Sequence, residues 1–369
     1  MSGEDIYPGE IIRDELEERG WTQEDLSRIL GRPLPAVSEI IMGKRSITSQ
    51  TARELAEAFG TSAEYWMNLE AIYQLRKNGV STGQVGRMAR IFESAPVKMM
   101  EKRGWIKAAN DPAKLEAELC RFYRIDSLQT EPRLRIAARA SVMDDELTSS
   151  QIAWSYRAWN LGQAVACAPY SRDRLLQAIP KLRELAAFPE SARHVPRLLA
   201  EHGVRLVIVE YLPGARIDGV TVSEDSTPIV ALSLRFDRID YFWHTLIHEL
   251  VHVLNGDGTR FDIDLSPDGN SGWSIDQDCE AKANEEAADM LIPRAQLESF
   301  ILRVAPLFSK TRINQFANRV RIHPGIVVGQ LQRRKKIGYS TNREMLVKIR
   351  EHIVGQAMTD GFGHTPQGI

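Results

Sequence analysis

His248-Glu249-Leu250-Val251-His252 sets two imidazoles four residues apart, with a carboxylate directly after the first. On an α-helix, positions i and i+4 lie one above the other on the same face. Two imidazoles so placed can converge on one metal ion, and this ligand chemistry suits zinc. Glu249 then stands where a general base is needed, beside the open position that a catalytic zinc site keeps for water. Leu246, Ile247, Leu250, Val251 and Val253 are apolar, as expected of a buried helix with one polar stripe. Histidine pairs also arise by chance. With only 8 histidines in 369 residues, a chance pair inside so apolar a pattern is the weaker reading.

A catalytic zinc site takes a third protein ligand. Candidates in the acidic region downstream are Asp257, Asp262, Asp264, Asp268, Asp276, Asp278, Glu280, Glu285 and Glu286. Helical spacing favours Glu280, because Glu280 and Asn284 share one face of a helix predicted at about 276–291. Ala281, Ala283, Ala287 and Ala288 are small enough to let that helix approach the first closely. Asp276 and Asp278 fit a helix start, where carboxylates cap. Spacing alone leaves the neighbours of Glu280 in play. Asn284 is expected to hold a histidine ring or the ligating carboxylate. His244, one turn before His248, and His323, in His323-Pro324-Gly325, are further candidates for a catalytic role, with Tyr241 as a third group able to steady an oxyanion. The chemistry these residues imply is metal-assisted hydrolysis of an amide.

The elements that must position them fall in residues 192–350. Strands are predicted at 204–209 and 227–234, with a turn at Asp218-Gly219 between them. The helix of His248 follows, then a loop rich in Gly and Asp from Gly256 to Gly272, then the helix of Glu280, ended by Pro293. Beyond it the pattern is helical to about Arg321, then a Pro-Gly punctuated segment, then two short strands or a hairpin near 337–347. Residues 351–369 read as a tail. Residues 81–191 read as a helical scaffold or dimerisation surface, with helices at 149–164 and 171–187 and no catalytic cluster.

Residues 1–80 read as five short helices. Thr22 and Asp25 have the spacing of a capping box. The second and third helices have the size and separation of a helix-turn-helix. Gln23 starts the second, and Ala36, Ser38 and Glu39 lie where base edges would be met. Lys44 and Arg45 follow as phosphate contacts. Residues 1–75 hold 7 Arg and Lys against 14 Asp and Glu, so any DNA contact must be confined to a local basic face. A helical domain that binds only protein is the rival reading. Residues 301–350 hold 12 Arg and Lys against Glu344 alone. There the run Arg333-Arg334-Lys335-Lys336 reads by default as a solvated helix face.

At 43% hydrophobic and 26% charged, the composition is that of a globular protein rather than a disordered one. A formal net charge of -2 excludes a chain-wide attraction to nucleic acid or anionic membrane. Cys120, Cys167 and Cys279 form neither a CxxC pair nor a disulfide framework, which fits a reducing compartment. The start lacks a basic, apolar leader, and no apolar stretch approaches the roughly 20 residues of a membrane span. A cytoplasmic α+β protein with no membrane contact is expected.

Two resemblances carry these readings further. Pro8-Gly9-Glu10-Ile11-Ile12, Gln23-Glu24-Asp25-Leu26, Val37 to Arg45 and Trp66-Met67-Asn68-Leu69-Glu70 resemble the antidote-type, HigA-like branch of the XRE helix-turn-helix proteins of toxin–antitoxin operons. That resemblance implies a homodimer that binds double-stranded operator DNA and represses its own operon. Ser27 departs from the alanine usual where the two helices meet, and Pro33 from a serine-like cap. Phe242 to His252, Glu280 to Pro293 and Ile322 to Gln332 resemble the ImmA/IrrE family of zinc metallopeptidases. This second resemblance implies a zincin-like, mainly helical domain with a small sheet, a third zinc ligand at Glu280, and a regulatory protein as substrate. Glu286 departs from an aromatic common at its position. An antitoxin-like repressor whose metal site is structural or sensory is the alternative.

Overall fold

Strand residues that alternate between two apolar layers fix the centre of the larger part of this chain. The computed structural model describes residues 7–77, 83–128, 147–222, 227–256, 260–263 and 277–360. Two compact units divide it, Met1–Gly86 and Arg87–Ile369.

In the first unit, α1 (Pro8–Arg19), α2 (Gln23–Leu30), α3 (Leu34–Ile41), α4 (Ser49–Phe59) and α5 (Ala63–Lys77) form the expected helices. Ile12, Leu16, Leu26, Val37, Ile41, Leu55 and Trp66 meet in one core. The capping box is present: the Asp25 amide donates to Thr22 Oγ1 at 3.1 Å, and the Thr22 amide to Asp25 Oδ2 at 2.8 Å. Gly31 ends α2 in the left-handed conformation, and the chain turns into α3 within two residues. Ser27 ties that turn, donating its hydroxyl to the Arg32 carbonyl at 2.7 Å.

The second unit begins with α6 (Gln84–Ser94), which crosses the division, and continues through α7 (Val97–Lys102), α8 (Pro112–Tyr123), α9 (Ser149–Gly162), α10 (Arg172–Leu185) and α11 (Val195–Glu201). The strands β1 (Arg205–Ile208), β2 (Ile217–Val222) and β3 (Ile229–Leu232) follow. Then come α12 (Ile239–Asn255), β4 (Arg260–Ile263), α13 (Gln277–Leu291), α14 (Arg294–Val304), α15 (Lys310–Val320), α16 (Pro324–Arg333), α17 (Arg350–Ile353) and β5 (Met358–Thr359). The helices expected at 149–164 and 171–187, and the strands expected at 204–209 and 227–234, are α9, α10, β1 and β3.

The sheet order is β4-β2-β3-β1-β5. β1 runs parallel to β3 and β5, while β2 runs antiparallel to β3 and β4. Leu206, Ile208, Val230 and Leu232 face a layer that includes α10 to α16. Val207, Ile229 and Ala231 face the opposite layer, with α8 and α9. Burial on both faces explains why β1 and β3 read as unbroken apolar runs rather than alternating ones. No helix among the described residues is long and apolar enough to cross a membrane.

Three local expectations are corrected. Asp218 and Gly219 lie inside β2 and do not form a turn. The Pro-Gly segment after Arg321 opens α16, with Pro324 in the first turn, where a missing N–H costs nothing. Residues 337–347 form no hairpin; a single 3₁₀ turn spans Arg343–Met345. The Gly- and Asp-rich stretch ends α12 at Gly256 and includes β4, and its remaining residues lie outside those described.

Candidate metal centre

α12 is buried along almost its whole length, because apolar side chains surround it on every side. It packs against β2, β3, α10, α13 and α16. His248, Glu249 and His252 are 0% exposed. Ala283 and Ala287 of α13 are buried in the layer around α12, and they allow the close approach that brings Glu280 in.

Three donors converge. His248 Nε2 and His252 Nε2 lie 3.0 Å apart. Glu280 Oε2 is 3.2 Å from the first, and Oε1 is 3.5 Å from the second. For metal bonds of about 2.0–2.1 Å, tetrahedral geometry puts ligand atoms about 3.3 Å apart. The donor set therefore has the edge lengths and chemistry of a zinc site, and this His248-His252-Glu280 cluster can hold a metal. Of the other acidic candidates, Glu285 and Glu286 lie on α13 outside the cluster. Asp257, Asp264, Asp268 and Asp276 lie outside the described residues, as do the side chains of Asp262 and Asp278.

Glu249 leaves α12 toward the sheet. Thr221 of β2 donates its hydroxyl to Glu249 Oε2 at 2.6 Å. Gly219 supplies the space: a Cβ there would stand 2.1 Å from Glu249 Oε1. The apparent turn signal at Asp218-Gly219 is thus a strand position cleared for a carboxylate.

On the other side of α12, His244 Nε2 is 2.9 Å from Asn284 Oδ1. Asn284 Nδ2 donates to the Glu280 carbonyl at 2.9 Å. Asn284 therefore holds a histidine ring, that of His244, and braces the turn of α13 that carries Glu280. Arg333, at the end of α16, donates Nη1 to Asn284 Oδ1 at 3.1 Å and also contacts His244 Nε2. Nothing in its basic run distinguished Arg333; only tertiary packing turns it inward while Lys335 and Lys336 stay exposed. Tyr241 is buried beside this group, and burial pushes its phenol above the usual range, with Asp218 adding to the effect. Arg238 and Asp240 form a two-bond ion pair on the same wall, at 3.0 and 2.7 Å.

His323 sits at the N-terminus of α16. Its Nδ1 accepts from the Gly325 amide at 3.0 Å. Burial holds its imidazole below the ordinary range, against the pull of Glu190. The folded state thus prefers a neutral ring, and protonation would remove the capping acceptor. Its stabilising contribution is complete above the ordinary imidazole pKa of about 6.5 and is lost as pH falls below it. Wild type should therefore lose melting temperature on acidification more steeply than His323→Asn, whose amide caps at any pH. Parallel melting curves from pH 7.5 to 5 would refute this.

In the first unit, Gln23, Glu39, Lys44 and Arg45 are exposed, while Ala36 and Ser38 are half-buried along α3. Arg45 lies 3.8 Å from Glu39. Pro33 occupies the N-cap of α3 without a side-chain cap bond.

Residues 12–66 match the helix-turn-helix family model. Virulence-associated protein I of Dichelobacter nodosus is 36% identical over 72 residues, 19% of this chain and 67% of that protein. Virulence-associated protein A' of the same organism is 36% identical over 74 residues, 20% of this chain and 64% of that protein. Among solved structures, Pseudomonas aeruginosa antitoxin HigA with the higBA promoter is 39% identical, covering 20% of this chain and 83% of that one at a TM-score of 0.20.

Proposed function

We propose that this chain, which belongs through its N-terminal domain to the helix-turn-helix family, is a transcriptional regulator that binds operator DNA and carries a zinc-dependent peptidase centre in its second unit. The DNA-binding part rests on α2 and α3, the tight turn between them, and the exposed Gln23, Lys44 and Arg45. As a homodimer it would present two such helices to two half-sites. HigA of Pseudomonas aeruginosa, named as an antitoxin with its promoter, illustrates the class of regulator meant.

The observation that carries the peptidase part is the convergence of His248, His252 and Glu280, with Glu249 buried one residue after the first ligand. It supports the resemblance to the ImmA/IrrE metallopeptidases that the sequence of this part carries. Zinc, when bound, supplies Lewis-acid activation of water and of the peptide carbonyl. Glu249 takes the proton from the attacking water and returns it to the departing amine nitrogen. Thr221 keeps its carboxylate oriented, and Gly219 gives it room. Asn284 fixes the backbone of the ligating turn and the His244 ring. The substrate in this reading is a regulatory protein, or this chain itself. The second reading, an antitoxin-like repressor whose metal is structural or sensory, is favoured by the helix-turn-helix matches, which cover about a fifth of the chain.

Glu249→Gln separates the two. It keeps the side-chain shape but cannot take a proton, and loss of a general base costs about 10²–10⁴ in rate. Cleavage of the partner or of the chain itself should vanish in cells, while zinc content and operator binding stay at wild-type levels. Lys44→Ala with Arg45→Ala should show the reverse, losing operator affinity while keeping cleavage. Unchanged regulation in Glu249→Gln would leave the structural or sensory role.

A further inference from the structure

The basic end of α16 contains one arginine that does not behave as surface charge. Arg333 is half-buried, and its guanidinium lies against Asn284 and His244. Only Nη1 makes those contacts. Among the described residues, Nε and Nη2 make no hydrogen bond, and no carboxylate lies within ion-pair distance of the group. The nearest acids are otherwise placed. Asp240 is held by both nitrogens of Arg238. Asp218 acts on Arg333 more weakly than Tyr241, Asp240 and Tyr339 do.

The space beside this guanidinium is a pocket lined by Arg238 and Asp240, which pair with each other, and by Tyr241, His244, Gly329 and Gln330 among others. Gly329 lets α16 come this close to α12, since a Cβ there would lie 2.4 Å from Asp240 Oδ2. The His244 ring centroid is 6.2 Å from that of His248. His244 thus lines the pocket on one side and neighbours a metal donor ring on the other.

We propose that Arg333 anchors a carboxylate-binding subsite, in which its Nε–Nη2 edge takes a substrate carboxylate side-on while Tyr241 and His244 form the walls. The inference rests on the peptidase reading of the same centre and specifies its substrate: a peptide with a carboxylate next to the cleaved bond. A guanidinium suits this task because its planar fork matches a carboxylate in two parallel hydrogen bonds, as an ammonium cannot. Asn284 fixes the fork in advance by holding Nη1, so little freedom is lost on binding. The carboxylate can be the C-terminus of the substrate or an Asp or Glu side chain.

Three peptide hydroxamates of equal length, titrated calorimetrically into the zinc-loaded full chain, test this. One ends in a free α-carboxylate, one carries a glutamate side chain and ends in an amide, and one is neutral. One carboxylate probe should bind wild type about ten- to hundredfold more tightly than the neutral probe, and which one does so identifies the source. Arg333→Gln should abolish that preference, and retained zinc uptake with a cooperative melt shows that the variant is folded. Arg333→Lys should recover only part of it. Equal affinity for all three probes in wild type, or a preference that survives in Arg333→Gln, overturns the subsite but leaves the metal centre standing. If no probe binds and the protein takes up no zinc, the peptidase reading itself fails, and the subsite with it.

Discussion

Zinc should raise the melting temperature of the second unit by about 8 °C, and His252→Ala should abolish that rise. The reason lies in two fully buried imidazoles whose Nε2 atoms face each other at 3.0 Å, with a carboxylate closing the triangle. Such groups are costly to bury unless something between them satisfies their lone pairs. An ion that binds only the folded state stabilises it by about 4 kcal/mol at a thousand times its dissociation constant. At roughly 2 °C per kcal/mol for a unit of this size, the shift follows. His252→Ala leaves one imidazole and Glu280, too few donors for a closed site. Glu280→Ala should act in the same direction through the loss of its carboxylate. Metal analysis alongside the melts decides the matter: equal zinc and equal shifts in wild type and both variants would remove the centre from consideration.

The parts of this site that could be read from sequence are the parts that helical geometry makes local. His248 and His252 face together because any helix stacks i over i+4. Glu280 and Asn284 share a face for the same reason, but which acid on which helix would reach the histidines depends on how α12 and α13 pack. That question is tertiary, and nine acids competed for the place. Arg333 shows the limit more plainly. Beside Arg334, Lys335 and Lys336 it reads as one of a solvated run, and only the packing of α16 on α12 and the bond to Asn284 turn it inward.

The same division holds for the fold. The five N-terminal helices were legible because each carries its own stop and start signals, such as Gly20, Gly31 and the Thr22–Asp25 box. β1 and β3 were legible as apolar runs. β2 was not, since Asp218 and Gly219 carry the composition of a turn. His323-Pro324-Gly325 looked like punctuation for a different reason: the proline that breaks a helix interior also begins a helix, and only the following apolar stripe at Ile326, Val327 and Leu331 separates the two. The pairing of α9 with the sheet also lay out of reach. Gly162 of that helix sits against Ile229, where a Cβ would come within 2.6 Å, a contact between residues far apart in the chain.

Gly219→Ala should cost about 2–3 kcal/mol, the scale of an overpacked interior, and most of that cost should disappear when Glu249 is also Ala. Gly219 is not among the glycines with positive φ, so the strand backbone itself would accept a side chain. What refuses it is Glu249, whose Oε1, Cδ and Cγ lie 2.1, 2.9 and 3.0 Å from the added Cβ. Those are the three nearest atoms, so the strain belongs to one pair of residues. Relief is hard to find, because Glu249 is on a buried helix, held by Thr221 on one oxygen, and Gly219 is paired with Leu232 of β3. Pushed aside, the carboxylate loses the orientation that Thr221 gives it, and in the proposed peptidase hydrolysis should then fall with stability while zinc uptake persists. Urea unfolding of wild type, Gly219→Ala, Glu249→Ala and the double variant gives the coupling directly, independent of any assay of cleavage. A pair that reacts as described shows a coupling of most of the single-variant loss. Simple additivity would mean that β2 does not press on Glu249 as this structure has it, and the orientation assigned to the general base would go with that contact.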